Sequence, residues 1–273
     1  MRLGIQVGAS LARGGFMGVG EAFALLYLSP FRGVEVNQAH LTVFGSVEEF
    51  GSRLRRLGLE LAAVYWSAKF HLREEHEFII RDFERIRGNL LKLNSNTVVI
   101  GPPPRFRLFE GDKERYIGAM AEVINSILDK YDDVRLGVHN HWGTIIQSED
   151  EINLLMKLTT PRFQLFTDIG HLSVSGINTY EFLDKWVGRI GYIHLKDDTQ
   201  PFNTAKDWGE VARRFKVPGR GRLDIVRILS ILKNHGYDGW VTVEYEDPES
   251  DPIQDLKFFV NYYNSNLRGF FEG

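Results

Sequence analysis

Short apolar segments alternate with amphipathic segments of helical period along the whole chain, and this alternation constrains the fold more than any other feature. Eight apolar segments are predicted as strands, at residues 3–7, 33–37, 59–66, 97–101, 135–139, 163–167, 190–195 and 240–245. Helices are predicted at residues 20–28, 47–57, 75–93, 112–130, 148–158, 179–187, 223–234 and 253–264, with a short extra helix at 208–215. Strands that alternate with helices in this way form a parallel sheet.

Eight strand–helix pairs in 273 residues give about 34 residues per pair, which is typical of a single (β/α)8 TIM barrel of the α/β class. The main alternative is a doubly wound open sheet. The glycine-rich stretch GGFMGVG at residues 14–20 lacks the spacing of a phosphate-binding GxGxxG loop, so we interpret it as an ordinary loop. No linker divides the chain, and residues 1–273 are predicted to form one TIM barrel domain.

The composition excludes several classes of protein. Cysteine is absent, which excludes a disulfide framework and a thiolate metal site. The formal net charge of −3 provides no basic field for nucleic acid, and no apolar run approaches the roughly 18 residues of a membrane span. The N-terminus lacks the long apolar core of a signal peptide. We therefore expect a cytoplasmic protein that has neither nucleic acid nor membrane as a partner.

The last four predicted strands end in polar side chains. His139 and His141 end the fifth strand, Asp168 the sixth, His194 the seventh and Glu244 the eighth. In a TIM barrel these carboxyl ends meet at one rim, where the active site lies. Two imidazoles and two carboxylates suit Mn²⁺, Zn²⁺, Co²⁺ or Fe²⁺. The predicted ligands of one such divalent metal ion are His139, Asp168, His194 and Glu244.

Each of these residues also has a purely structural explanation when it is taken alone. A histidine in a strand is commonly a satisfied polar group, and Asp168 could cap a helix or turn. Glu244 is harder to explain in this way, because it lies within the apolar segment WVTVEYE, where an unpaired carboxylate is costly. The joint pattern over four strand ends favours the metal interpretation.

These stretches also carry a resemblance to a known family. The relevant segments, in chain order, are GVEVN, LGVHNHWG, TDIGH, YIHLKDD, PGRGRLD and GYDGWVTVEYEDP. In them the chain resembles the xylose isomerase-like barrel superfamily, especially its sugar phosphate isomerase/epimerase group, over essentially its whole length. The resemblance implies one divalent metal held by Glu, Asp, His and Glu from strands five to eight. Asp168, His194 and Glu244 match three of these positions.

The fifth-strand position departs from the family pattern. Relatives carry a stretch like E-N-H there, whereas this chain reads H-N-H, so His139 stands in place of the metal-bound Glu. In related epimerases both metal-bound Glu residues move protons, and a metal-bound imidazole offers only one nitrogen to the ion. The two-carboxylate mechanism therefore does not carry over intact. Glu244 is the first choice of base, and His141, Lys196 or a metal-bound water could supply the second.

The resemblance implies an isomerase or epimerase that acts on a sugar, keto-sugar or related polyol through an enediolate. The residues assigned to catalysis are Glu244, His139 and Lys196. The residues assigned to substrate binding are His171, His141, Trp66 and Trp142. The two tryptophans could equally be core or rim packing. Since relatives are often dimers or tetramers, a homodimer or homotetramer is left open.

Three alternative functions stay open beside this hypothesis. A dehydratase or lyase of an inosose-like polyol needs the same stabilisation of an enolate, followed by loss of a hydroxyl. A non-catalytic barrel that binds metal or sugar is suggested by the replaced fifth-strand Glu. An abasic-site endonuclease of the same superfamily would need further histidine ligands, but the fourth strand ends in Gly101 and Pro102, where such an enzyme carries a histidine.

Overall fold

Eight parallel strands close into a barrel in chain order, with the eighth strand paired to the first. The computed structural model describes residues 1–12, 17–27 and 29–271. The barrel strands are β1 (Arg2–Gln6), β2 (Gly33–Asn37), β3 (Glu60–Ser67), β4 (Thr97–Gly101), β5 (Arg135–Val138), β6 (Gln164–Asp168), β7 (Ile190–Leu195) and β8 (Trp240–Val243). The predicted single (β/α)8 TIM barrel is therefore confirmed.

Helices surround the barrel. The α-helices are Val7–Ser10, Val19–Ala22, Val47–Arg56, His76–Lys92, Lys113–Lys130, Glu149–Leu158, Ile169–Val174, Thr179–Trp186, Trp208–Arg214, Ile225–Asn234 and Pro252–Tyr262. Short 3-10 helices lie at Phe23–Leu26, Gln38–Thr42, Arg73–Glu75, Phe109–Gly111, Val187–Arg189 and Arg268–Phe270, and a π-helical turn lies at Tyr263–Leu267. None of the helices within the described ranges is long and apolar enough to cross a membrane.

Two segments predicted near the N-terminus lie partly outside the described residues. The helix predicted at residues 20–28 is an α-helix over Val19–Ala22 that continues as the 3-10 helix Phe23–Leu26, and residue 28 lies outside the described residues. Residues 14–16 of the predicted loop at 14–20 also lie outside them.

Three elements that the sequence analysis does not predict lie close to the carboxyl ends of strands. The single turn Val7–Ser10 begins where the side chain of Gln6 accepts a hydrogen bond from Ala9 N. The helix Ile169–Val174 is buried at every position, so it shows no amphipathic period. A two-stranded antiparallel ribbon pairs Asp197–Asp198 with Phe215–Lys216, and strands of two residues are too short to leave a sequence pattern.

The barrel interior is apolar in its middle layer and polar at the carboxyl ends of the strands. The apolar cluster inside the barrel consists of Ala62, Ala63, Val99, Phe166, Tyr192 and Trp240. Gly137 leaves room for this cluster, because a side chain at that position would collide with the ring of Phe166. Since strand side chains alternate between faces, the next inward positions toward the carboxyl ends lie directly above the apolar cluster. Those positions are polar, and they form the candidate site.

Candidate metal and active site

The inward side chains at the strand ends converge in the mouth of the barrel. His139 follows β5, Asp168 ends β6, His194 lies in β7 and Glu244 follows β8, and all four are buried. Glu35 of β2 is also fully buried and reaches the same group. The four residues predicted as metal ligands are therefore neighbours in space.

Three of the four form the tightest group. One donor atom from each of His139, Asp168 and His194 lies within 4.8 Å of the others. Nδ1 of His139 and Nδ1 of His194 are 2.8 Å apart. Glu244 lies beside them, with Oε2 at 3.9 Å from Nδ1 of His194. A cation between the two imidazoles would thus have Asp168 within reach and Glu244 at the edge of the group.

Unpaired carboxylate oxygens test whether this group suits a cation. Oδ1 of Asp168 accepts a hydrogen bond from His171 N at 2.7 Å, but Oδ2 has no hydrogen-bond partner among the described residues. The same holds for Oε2 of the buried Glu244. The cationic neighbours of these oxygens are Lys196 Nζ, 3.4 Å from Asp168 Oδ2, and His194 Nδ1, 3.9 Å from Glu244 Oε2, and neither makes a hydrogen bond to them. A divalent cation is a partner that would satisfy both oxygens. The donor set therefore fits a divalent metal ion.

Lys196 places a buried positive charge between carboxylates of the site. Its Nζ lies 3.0 Å from Glu246 Oε2, 3.4 Å from Asp168 Oδ2 and 3.6 Å from Glu244 Oε1. Burial lowers the pKa of Lys196, but the three carboxylates outweigh burial and raise it above the usual value. The lysine therefore stays protonated. Burial raises the pKa of Glu244 to about 7, against the opposing effects of Lys196 and His194.

Glu35 fixes one side of the His194 ring. Nε2 of His194 donates to Oε2 of Glu35 at 2.7 Å, which leaves Nδ1 facing His139. Burial lowers the pKa of His194, but the charges of Glu35 and Glu244 outweigh burial and raise it to about 9. The sequence analysis gives Glu35 no role. The sequence does contain a sign of such a role, namely a carboxylate within an apolar strand. Glu35 lies between valines in GVEVN, just as Glu244 lies within WVTVEYE.

His141 and His171 form a second imidazole pair next to His139. Their ring centroids are 3.8 Å apart, and both rings contact the backbone of Trp142. Nδ1 of His171 accepts from Trp142 N at 3.2 Å, so the proton of a neutral ring is on Nε2, which has no partner among the described residues. Nδ1 of His141 donates to Trp142 O at 2.6 Å, so Nε2 is an acceptor.

This assignment of protons distinguishes two groups that could hold a metal. His139, His141 and His171 also bring donor atoms within 4.8 Å of one another. A metal ligand must offer a lone pair, and Nε2 of a neutral His171 carries a proton instead. The second group is therefore better suited to hydrogen bonding with a substrate, and the group of His139, Asp168 and His194 is better suited to metal.

Asn140, which the sequence analysis does not assign, joins two of the strand ends. Its side chain donates to Asp168 O at 3.1 Å and accepts from Asp168 N at 2.9 Å. Because both bonds reach the backbone of the neighbouring strand end, they fix Asp168 relative to His139. Asn140 is thus a structural link within the H-N-H segment.

The two tryptophans assigned to the substrate lie in different places. Trp66 is fully buried outside the barrel wall, where Nε1 donates to Asp82 Oδ2 at 2.8 Å and the ring packs on Phe70 and Phe83. The structure therefore corrects the assignment of Trp66 to substrate binding: odd and even strand positions face opposite sides, and this one faces the helices. Trp142 lies half-buried at the rim.

A third tryptophan, absent from the sequence assignments, lies over the site. Trp208 begins the helix Trp208–Arg214 in the loop after β7, and it is 51% exposed. Its ring stacks on His141, with centroids 5.6 Å apart and an interplanar angle of 21°. Trp142 stacks on Trp208 at 5.9 Å. An exposed indole at a barrel mouth offers an apolar face to a ligand.

Two buried aspartates hold this loop in place. Asp197 accepts hydrogen bonds from the backbone N–H groups of Gly219 and Gly221. Asp198 accepts from both Nε and Nη2 of Arg214, which is itself almost fully buried. The loop after β7 is therefore anchored at both ends, and the position of Trp208 over His141 follows from that anchoring.

A cavity of about 430 Å³ opens beside His141, within the range of small-molecule sites. Its lining residues are Tyr65, Ser67, Ala68, Lys69, Pro102, Pro103, Pro104, His141 and Thr144. A side chain at Gly101 would collide with Tyr65 and Ser67. The fourth strand end thus has no room for the additional histidine ligand that an abasic-site endonuclease needs.

Comparisons with known proteins agree with the barrel fold. Residues 23–262 match the xylose isomerase-like TIM barrel family. An inosose dehydratase of Clostridium botulinum (strain Eklund 17B / Type B) is 30% identical over 256 residues, covering 86% of this chain and 85% of that protein.

Two solved structures share the fold at low sequence identity. A zinc-bound crystal structure of IOLI protein has a TM-score of 0.75 and 18% identity, covering 98% of this chain and 99% of that chain. A sugar phosphate isomerase/epimerase from Parabacteroides distasonis has a TM-score of 0.77 and 13% identity, covering 99% of each chain.

Proposed function

Because the chain belongs to the xylose isomerase-like TIM barrel family, we propose that it is a divalent-metal-dependent dehydratase of an inosose-like polyhydroxy ketone. The sequence motifs alone favour isomerisation or epimerisation. The relative with 30% identity over 86% of this chain is named an inosose dehydratase, and this favours dehydration instead. Isomerisation or epimerisation is the second candidate.

The observation that carries the proposal is the placement of one carboxylate base beside a buried ammonium. Glu244 lies 3.6 Å from the ammonium of Lys196, and His171 presents an unpaired Nε2–H nearby at the same rim. Removal of water from a hydroxy ketone needs both functions: a base takes the proton next to the carbonyl, and an acid protonates the departing hydroxyl. Epimerisation needs instead a base on each face of the carbon.

The identity of residue 139 also bears on the choice between dehydration and epimerisation, because it is His139 rather than a glutamate. A two-base epimerase of this family uses a second metal-bound Glu from the fifth strand, and this chain has His139 there. Nδ1 of His139 faces His194, so the ring is oriented as a ligand. The missing second carboxylate therefore favours a reaction in which Glu244 is the only carboxylate base.

His139, Asp168 and His194 would hold the metal ion, with Glu244 next to it. Bound there, a divalent ion would supply Lewis-acid stabilisation of negative charge on a ketone oxygen. Burial keeps the pKa of Glu244 at about 7, so near neutral pH this carboxylate can accept a proton and return it.

Lys196 and His171 complete the proposed reaction. When the C–H proton passes to Glu244, the electron pair forms a carbon–carbon double bond, and the C–O bond to the neighbouring hydroxyl breaks. Glu244 returns this proton to the departing hydroxyl, which leaves as water, and the ammonium of Lys196 stabilises the negative charge that develops. The resulting enol rearranges to a diketone. His171, through Nε2–H, orients a substrate oxygen.

The decisive experiment incubates the protein with Mn²⁺, Zn²⁺ or Co²⁺ and an inosose in deuterated water, followed by mass spectrometry. Dehydration gives a product lighter by one water, and treatment with a chelator abolishes it. A product that has lost no water but carries deuterium at one carbon, and is therefore about one mass unit heavier, would establish isomerisation or epimerisation in its place. Absence of both water loss and deuterium exchange across a panel of inososes and ketoses would indicate a binding protein.

A further inference from the structure

We propose that Glu35 is a positioning residue that commits Nδ1 of His194 to the metal. This inference rests on the metal site of the proposed function and adds to it a residue from the opposite half of the barrel. Glu35 lies in β2, and His194 lies in β7. No strand pairing joins those two strands, so the contact spans the barrel interior.

Glu35 occupies one of the two ring nitrogens of His194 and leaves the other facing the site. Oε2 of Glu35 accepts from Nε2 of His194 at 2.7 Å, and both side chains are 0% exposed. A neutral imidazole carries one proton, so a proton on Nε2 leaves the lone pair on Nδ1. That nitrogen lies 2.8 Å from His139 and 3.9 Å from Glu244. Glu35 thus turns the ligating nitrogen toward the other predicted ligands.

Packing does not account for a carboxylate at this position. An ionised carboxylate taken out of water is costly unless it has a strong partner, and an apolar side chain would fill the same space. A carboxylate behind a metal-bound histidine fixes its tautomer and makes the ring a better ligand. The pair of Glu35 and His194 has the arrangement that this role requires.

The test measures zinc affinity of Glu35→Gln by competition with a chromophoric chelator. The glutamine keeps the shape and removes the charge, so we expect zinc to bind about 10- to 100-fold more weakly than to the unchanged protein. Glu151→Gln is the matched control, because Glu151 is also buried and paired, with Arg105, but lies outside the site. The control loses the same charge and keeps its zinc affinity. Equal affinity in the unchanged protein and Glu35→Gln overturns the inference.

A second measurement needs no variant and decides the matter if Glu35→Gln fails to fold. In ¹⁵N-histidine-labelled protein loaded with zinc, Nδ1 of His194 should show the shift of a metal-bound nitrogen, and Nε2 should keep its proton. Zinc bound through Nε2 overturns the inference. Failure to dehydrate an inosose, with this zinc signature intact, would refute the proposed function and leave the role of Glu35 standing.

Discussion

The two halves of the barrel rim differ in what their polar side chains contact. In the half formed by β1 to β4, Gln6 accepts from Ala9 N at 2.6 Å and Glu35 accepts from His194 at 2.7 Å, so each supports another part of the protein. In the half formed by β5 to β8, three buried atoms of the site have no hydrogen-bond partner among the described residues, namely Asp168 Oδ2, His171 Nε2 and Glu244 Oε2, whereas the comparable atom in the first half is Glu35 Oε1. The second half therefore presents more unpaired polar atoms to the barrel mouth than the first half does.

This difference between the halves follows from the side chains that occupy them. Tyr65 occupies the space above Gly101, and burial raises its pKa well above the usual value, so it is neutral. The second half instead holds Lys196 among three carboxylates. Opposite charges held out of water interact strongly, and they are arranged before any ligand arrives. We therefore expect changes in the second half to affect metal binding and chemistry directly, and changes in the first half to act through the groups that they support.

The largest expected effect is that of Glu244→Gln. Removing the base should lower turnover of the true substrate by about 10²- to 10⁴-fold while the fold is retained. Steady-state kinetics with metal in excess, together with circular dichroism, measure both quantities. Glu249→Gln is the control, because Glu249 is an exposed carboxylate on the same loop. Unchanged turnover in Glu244→Gln would contradict its assignment as base.

The fold was predictable because every barrel strand is short, apolar and followed by a helix. Predicted and observed boundaries agree within a residue or two. For example, β5 ends at Val138 rather than His139. The helix Ile169–Val174 was not predictable, because a helix buried on all sides has no polar face to reveal its period.

The sequence identifies most residues of the site but not the contacts between them. Barrel topology brings the ends of β5 to β8 together, so His139, Asp168 and His194 could be named from the sequence. The contact of Glu35 with His194 joins residues 159 positions apart, and no local pattern encodes it. Trp208 was not predicted as part of the site for a similar reason, since its position over His141 depends on how the loop after β7 is anchored.

The variant His139→Ala tests the second half of the rim by its effect on zinc affinity rather than on turnover. Since groups that merely orient a ligand are worth about 10- to 100-fold in metal affinity, loss of a ligand itself should weaken zinc binding by at least about tenfold. Gln6→Ala is the comparison from the first half. It removes a helix cap and should lower stability by about 1 kcal/mol without changing zinc affinity. Chelator competition and urea unfolding separate the two outcomes, and equal zinc affinity in both variants would contradict the division of the rim.

The pH dependence of stability tests the contact between the halves. The pKa of His194 is raised from 6.5 to about 9 in the folded protein, so its contribution to stability is complete below the lower value and is lost as pH rises through the higher one. The metal-free protein should therefore lose stability, on the order of 3 kcal/mol, across this window. Urea unfolding in the presence of a chelator measures the change. Glu35→Gln should show a weaker dependence, and a rise in stability over the same window would contradict the pairing.

The smallest expected effect is that of Trp208→Ala, which tests whether the loop over the second half touches the substrate. Contacts of an aromatic ring are worth about 0.5–1.5 kcal/mol, so KM should rise by roughly 2- to 10-fold with kcat nearly unchanged. Tyr27→Ala is the control, because Tyr27 is 66% exposed and precedes β2, near the amino ends of the strands. If kcat falls while KM holds, the indole acts by positioning His141 rather than by binding substrate. Trp208 would then be a second-half residue that, like Asn140, positions a group of the site without touching the substrate.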